Sequence, residues 1–121
     1  MTIRFTIDII PDSSWGMNKI YAGTHWNDRK KQAQQVHMIV KAAIRKQHRN
    51  VQMFRVPVSV SIYYNSRLDI DNHGYLAKLI IDGMKGVLLK DDDRRYVKEL
   101  YQGFYDGDSK KIIVEVMEYG N

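Results

Sequence analysis

The 121 residues predict one α+β domain spanning 1–121: a mixed or antiparallel sheet of about four strands carrying two helices. Three observations carry this. Apolar and polar residues alternate in several short segments. Two longer segments repeat apolar residues at helical spacing. No internal repeat, low-complexity stretch or linker divides the chain.

Ile3, Phe5, Ile7 and Ile9 alternate with Arg4, Thr6 and Asp8, which makes a half-buried strand ended by Pro11-Asp12. Residues 12–26 show no period and form a long loop, a feature that tends to be functional in so small a domain. Asn27 or Asp28 can cap a helix that runs to about Gln47, with Val36, Ile39, Val40, Ala43 and Ile44 as its apolar stripe. Lys30, Lys31, Lys41, Arg45 and Lys46 lie off that stripe. The next strand is Val56 to Tyr64, with Val56, Val58, Val60, Ile62 and Tyr64 on one face, and Pro57 marks an edge or an entry position. A second helix follows Asp71-Asn72 and buries Leu76, Leu79, Ile80 and Met84, while Gly83 and Gly86 weaken and then end it. Val87 to Leu89 is a short apolar piece. Tyr96 to Phe104 and Lys111 to Tyr119 read as two more strands, with Asp106-Gly107 between them as a hairpin-type turn.

Composition excludes several chemistries. The chain has no cysteine, which removes disulfides, thiolate zinc sites, thiol nucleophiles and Fe–S clusters. No apolar run approaches the roughly 18 residues of a membrane span. The N-terminal segment alternates where a signal peptide would show a basic stretch and an apolar run, so a soluble cytoplasmic protein is expected. The formal charge is +5, from 19 Lys+Arg against 14 Asp+Glu. Between Ser13 and Arg67 the one acid is Asp28, against Lys19, Arg29, Lys30, Lys31, Lys41, Arg45, Lys46, Arg49, Arg55 and Arg67. The acids gather later, in Asp69/Asp71 and in Asp91-Asp92-Asp93. Cations that hold phosphates beside carboxylates that hold a metal are what a nuclease needs. A mildly basic protein with one acidic loop accounts for the same charge pattern.

Arg67-Leu68-Asp69-Ile70-Asp71-Asn72 is the sharpest feature. In an extended segment Asp69 and Asp71 project to the same side. Adjacent carboxylates repel, and a hard divalent cation such as Mg²⁺ relieves that repulsion with oxygen ligands and retained waters. Helix N-capping by Asp71 or Asn72, with Asp69 merely exposed, is the other reading. The run Asp69-x-Asp71-x-His73-Gly74 begins like a calcium loop, but position 12 is Ile80 where a bidentate glutamate is required. A strand–helix–return unit can bring Asp91-Asp92-Asp93 back beside the first pair, and a solvated turn is the alternative. Lys78 lies two helical turns after Asp71, placed to meet a phosphate, or to pair with Asp82 at i+4. His25, His37, His48 and His73 have no zinc-ligand spacing.

Asp69-x-Asp71-Asn72, the helix with Lys78 and Asp82-Gly83-Met84, and Leu89-Lys90-Asp91-Asp92 before a basic-aromatic strand together resemble the RusA family of Holliday junction resolvases. Asn18-Lys19-Ile20-Tyr21 and His25-Trp26-Asn27-Asp28-Arg29-Lys30 resemble the segment linking first strand and first helix in phage-type members. The resemblance covers nearly the whole chain. It implies a small homodimeric, Mg²⁺-dependent endonuclease of phage or prophage type, in which Mn²⁺ can substitute. Such an enzyme nicks two opposed strands of a four-way DNA junction and works in the bacterial cytoplasm, associated with the nucleoid when on DNA. The family's metal-binding, catalytic carboxylates map onto Asp69, Asp71 and Asp92, with Asp91 as the acidic neighbour that can take the place of Asp92. The family lysine, about one turn after the second aspartate in many members, falls here on Tyr75. His73-Gly74-Tyr75 looks like a three-residue insertion, and the lysine role passes to Lys78, which keeps its spacing to Asp82.

On this reading Lys19, Arg29, Lys30 and Arg67 contact phosphates, and Trp15, Tyr21 or Trp26 either stack on opened bases or pack in the core. The competing functions are a branched-DNA nuclease of other specificity, a non-catalytic basic DNA-binding module, and a protein–protein adaptor. The first differs in substrate, the second lacks metal-dependent cleavage, and the third lacks DNA binding.

Overall fold

A computed structural model describes residues 1–15 and 26–120. Its elements are β1 (Thr2–Ile7), a 3₁₀ turn (Ser13–Trp15), α1 (Trp26–Gln47), β2 (Val58–Tyr64), a second 3₁₀ turn (Ile70–His73), α2 (Gly74–Gly83), β3 (Val97–Phe104) and β4 (Ile112–Glu118). The strands form one mixed sheet in the order β1-β4-β2-β3. Strand β4 runs antiparallel to both β1 and β2, and β2 runs parallel to β3. The expected α+β architecture of two helices and four strands is the one found.

Alternation decides which face is covered. Ile3, Phe5 and Ile7 stand opposite Val116, Val114 and Ile112 across the β1–β4 pair, and all six are buried. Val60 and Ile62 of β2 meet the same Val116 and Val114 from the other side. Against this face α1 packs Val36, Val40 and Ile44, and α2 packs Leu76, Leu79 and Ile80. Each such side chain contributes roughly 1.5–3 kcal/mol by leaving water. Ile39 departs from the expected stripe and stays 37% exposed. Helix α1 begins at Trp26, so Asp28 sits in its first turn, where a carboxylate complements the helix dipole.

The turn at Asp106-Gly107 does not make a hairpin, because β3 and β4 are not neighbours. Strand β2 lies between them. The reason is burial: Val58, Val60, Ile62 and Tyr64 are all at 0% exposure, whereas β3 leaves Leu100, Tyr101 and Phe104 exposed. The more apolar strand takes the centre and β3 takes the edge. The connection therefore crosses the C-terminal end of β2. Asn65 donates from Nδ2 to the Gly107 carbonyl at 2.6 Å, and the Tyr105 hydroxyl donates to the carbonyls of Asp108 and Lys111. A Cβ on Gly107 would lie 2.5 Å from the Tyr105 ring, so glycine is what lets this loop fold onto that ring. Val56 falls outside β2 and is exposed, and Pro57 marks an entry to a central strand.

Two contacts fix the helices. A Cβ on Gly83 would sit 3.0 Å from Val40 Cβ, so the glycine expected to weaken α2 is also its point of closest approach to α1. Lys41 donates from Nζ to the carbonyls of Gly83 and Lys85, both at 2.7 Å, and so caps the C-terminus of α2. The outer edge of β1 is closed by Gln47, whose amide exchanges hydrogen bonds with the Thr6 N–H and C=O at 2.9 and 2.8 Å. Among the described residues no helix is long and apolar enough to cross a membrane.

Candidate active site

The β2–α2–β3 crossover dictates where the carboxylates fall. Asp69 and Asp71 follow the C-terminal end of β2. Because β3 runs parallel to β2, the chain must return along α2 to the opposite end of the sheet before β3 starts. Asp91-Asp92-Asp93 lies on that return, and the Val58 N–H donating to the Tyr96 carbonyl at 2.8 Å ties its end to the start of β2. The two acidic groups thus flank α2, whose ten residues make a helix about 15 Å long. The trio returns to the far end of the helix, and not to the side of the first pair.

At the C-terminal end of α2, Lys85 gathers three carboxylates. Its Nζ lies 3.1 Å from Asp92, 3.7 Å from Asp91 and 3.9 Å from Asp82. The Asp92 carboxylate is the main cause that holds the Lys85 ammonium above its ordinary range. Burial pushes the Asp82 carboxyl up, but its contact with Asp92 and the ammoniums of Lys78 and Lys85 reverse this and leave it below the usual carboxylate range. Lys78 is 68% exposed and pairs with Asp82 at 3.2 Å. Asp93 turns away to Arg95, which holds it through Nε and Nη2. That leaves Asp91 and Asp92 as the members of the run that face the helix end.

At the N-terminal end, Asp69 and Asp71 are both exposed. Asp69 is the residue before the 3₁₀ turn, with φ −61° and ψ 150°, and its side chain makes no capping hydrogen bond. Asp71 lies within the turn. The strictly extended geometry expected for the pair therefore ends at Asp69. Asp69 is exposed, as the capping reading has it, but the N-cap position of α2 falls on His73 and not on Asp71 or Asn72, and neither carboxylate has a side-chain partner among the described residues.

His73 holds this turn in place. It is fully buried, stacked on Tyr64 with ring centroids 4.0 Å apart, and edge-on to Phe104 at 6.1 Å. Its Nε2 lies 2.8 Å from Ser66 Oγ, which also accepts the Leu68 N–H at 3.3 Å. The segment carrying Asp69 and Asp71 is thereby pinned at both ends. Burial lowers the His73 pKa. Sequence reading noted His73 as part of an insertion and missed this role; its single signal was an imidazole directly after Asp71-Asn72. Lys85 was missed too, though its i+3 spacing from Asp82 was visible.

The remaining candidates are dispersed. Arg67 is exposed just before the acidic turn. Arg29 lies in the first turn of α1 with its Nε buried and without a partner among the described residues, and Lys30 follows it. Trp15 packs partly buried against the core. Lys19, Tyr21 and the side chains of Trp26 and Asn27 lie outside the described residues. Among the described residues no group of three His, Asp or Glu is arranged to hold a metal ion. The donor chemistry suits a hard cation, since every candidate ligand is a carboxylate. One copy of the chain presents those donors in two halves.

The model of the family described as Endodeoxyribonuclease RusA matches residues 17–117 of the 121. The chain belongs to the RusA family. A search of curated proteins finds no match. The RusA match begins ahead of α1 and ends inside β4, so it takes in both acidic groups, Lys78 and the basic face of α1. An endodeoxyribonuclease cleaves phosphodiester bonds within a DNA strand. Its His73-Gly74-Tyr75 forms the junction of 3₁₀ turn and helix.

Proposed function

We propose that this chain resolves four-way DNA junctions as a homodimer, nicking opposed strands with Mg²⁺, or Mn²⁺ in its place. Asp69 and Asp71 would supply one half of the metal ligands, and Asp92, with Asp91 beside it, the other. The observation that carries this reading is the separation of those halves along α2. A two-fold pair of chains can set the Asp69/Asp71 end of one copy against the Asp91/Asp92 end of the other, giving two equivalent sites for a two-fold substrate. Held by these carboxylates, a hard divalent cation would supply Lewis-acid polarisation of the phosphodiester and activation of the attacking water.

The chain's own residues bind and orient the DNA. Lys78 is exposed midway along α2, and it exchanges its Asp82 partner for a backbone phosphate. Arg67 contacts the phosphate next to the Asp69/Asp71 turn, Arg29 and Lys30 position the arm across α1, and Lys19 is a further phosphate contact. Lys85 keeps Asp91 and Asp92 together before the cation binds.

Asp71→Asn is expected to abolish cleavage of a synthetic four-way junction in Mg²⁺ and to leave junction binding intact. Cutting at the wild-type rate rejects the site, and would leave the chain as a DNA-binding module if binding persists. Duplex, flap, fork and junction substrates compared side by side separate junction resolution from cutting of other branched DNA.

A further inference from the structure

A trough runs between the segment after α1 and the turn after α2. One part, of about 280 Å³, is lined by Arg45, His48 and Gly86 among others. The adjoining part, of about 750 Å³, is lined by Arg55, Lys90, Tyr96 and again Gly86. The two parts share Val51, Gly86 and Val87, and no Asp or Glu lines either. Arg45, Arg55 and Lys90 are all exposed. None of the three has an ion-pair partner among the described residues, whereas Lys78, Lys85, Arg95 and Lys111 are all paired. Unneutralised cations along an acid-free groove make a field that attracts a polyanion.

The trough also has a direction. Gly86 follows Lys85, the residue that gathers Asp91 and Asp92, and takes φ +83°, so the chain turns there from the acidic cluster to the trough floor. Lys90 immediately precedes Asp91. Apolar walls from Val51 and Tyr96 suit deoxyribose, and the guanidiniums suit phosphate.

We propose that this trough holds the sugar–phosphate backbone of a DNA arm that leads to the Asp91/Asp92 end of the site. The proposal rests on the reading of the chain as a DNA nuclease and adds Arg45, Arg55 and Lys90 to its binding surface. Contacts of this kind position DNA without reading its sequence and weaken with salt.

The test measures binding of the full chain to a four-way junction, without divalent metal, across a salt series. Arg55→Glu and Lys90→Glu are compared with Lys110→Glu, an exposed lysine outside the trough that carries the same change of charge. Each trough variant is expected to reduce the slope of log Kd against log salt by about 0.9, with no base-sequence dependence in the loss. Lys110→Glu is expected to keep the wild-type slope. A wild-type chain that binds steeply while both trough variants keep its slope overturns the trough alone. A wild-type chain that binds no DNA overturns the nuclease reading together with it.

Discussion

Alanine in place of His73 removes a ring that is at 0% exposure and stacked on Tyr64 with an interplanar angle of 15°. Truncation of a buried aromatic costs about 3–5 kcal/mol. The hydrogen bond to Ser66 at 2.8 Å adds about 1 kcal/mol to the loss. Against this, His73 Nδ1 is buried with no partner among the described residues, and its removal recovers about 1–3 kcal/mol of desolvation. The net expectation is a loss of about 3 kcal/mol, within a span of about 1–5 kcal/mol. Phenylalanine keeps the stack, loses the one hydrogen bond and relieves the same orphaned nitrogen, so it is expected within about 1 kcal/mol of wild type. Urea unfolding followed by far-UV circular dichroism gives both numbers. An alanine variant as stable as wild type, or a phenylalanine variant as weak as alanine, refutes the claim that ring stacking locks the Asp69/Asp71 turn.

Gly83→Ala gains about 1 kcal/mol of helix propensity, but the new Cβ meets Val40 Cβ at 3.0 Å and the α1 backbone at His37 at 3.3 Å. Overpacking of that kind costs about 1–3 kcal/mol, so the variant is expected to unfold at lower urea, and a rise in midpoint contradicts the close helix crossing. Burial lowers the pKa of both His37 and His73, so the unfolded chain takes up protons first as pH drops below about 6.5. Stability is therefore fully present above that pH and declines below it, down to the folded-state values. Melting temperatures are expected to fall from about pH 7.5 to about pH 5.5, less steeply in His73→Phe; a rise over that range contradicts the burial of neutral imidazoles.

Period was the reliable guide to the fold. The alternation in Ile3, Phe5 and Ile7 and the spacing of Val36, Val40 and Ile44 each named buried residues correctly, because a half-buried strand or helix can satisfy water and core in one way. Pairing was not legible. Asp106-Gly107 reads locally as a tight turn, but β2 outcompetes β3 for the central position by burying every second residue, and no local signal at residues 106–107 records that. The site shows the same split. The carboxylates and Lys78 could be named one by one, since each carries its chemistry in its side chain. Their distribution over the two ends of α2 follows from the parallel direction of β3, a property of the whole sheet. His73 was passed over because a buried imidazole announces itself through its neighbours Tyr64, Ser66 and Phe104, which are remote or unremarkable in sequence.

Subunit mixing tests the central claim most directly. Asp71→Asn and Asp92→Asn are each expected to bind a four-way junction and cut nothing. When the two variants are co-expressed with different tags and the mixed species is isolated, one of its two sites combines an intact Asp71 from one copy with an intact Asp92 from the other. The account predicts that this species regains Mg²⁺-dependent nicking at one strand of the junction. A mixed species as inactive as either variant alone contradicts a site shared between two copies.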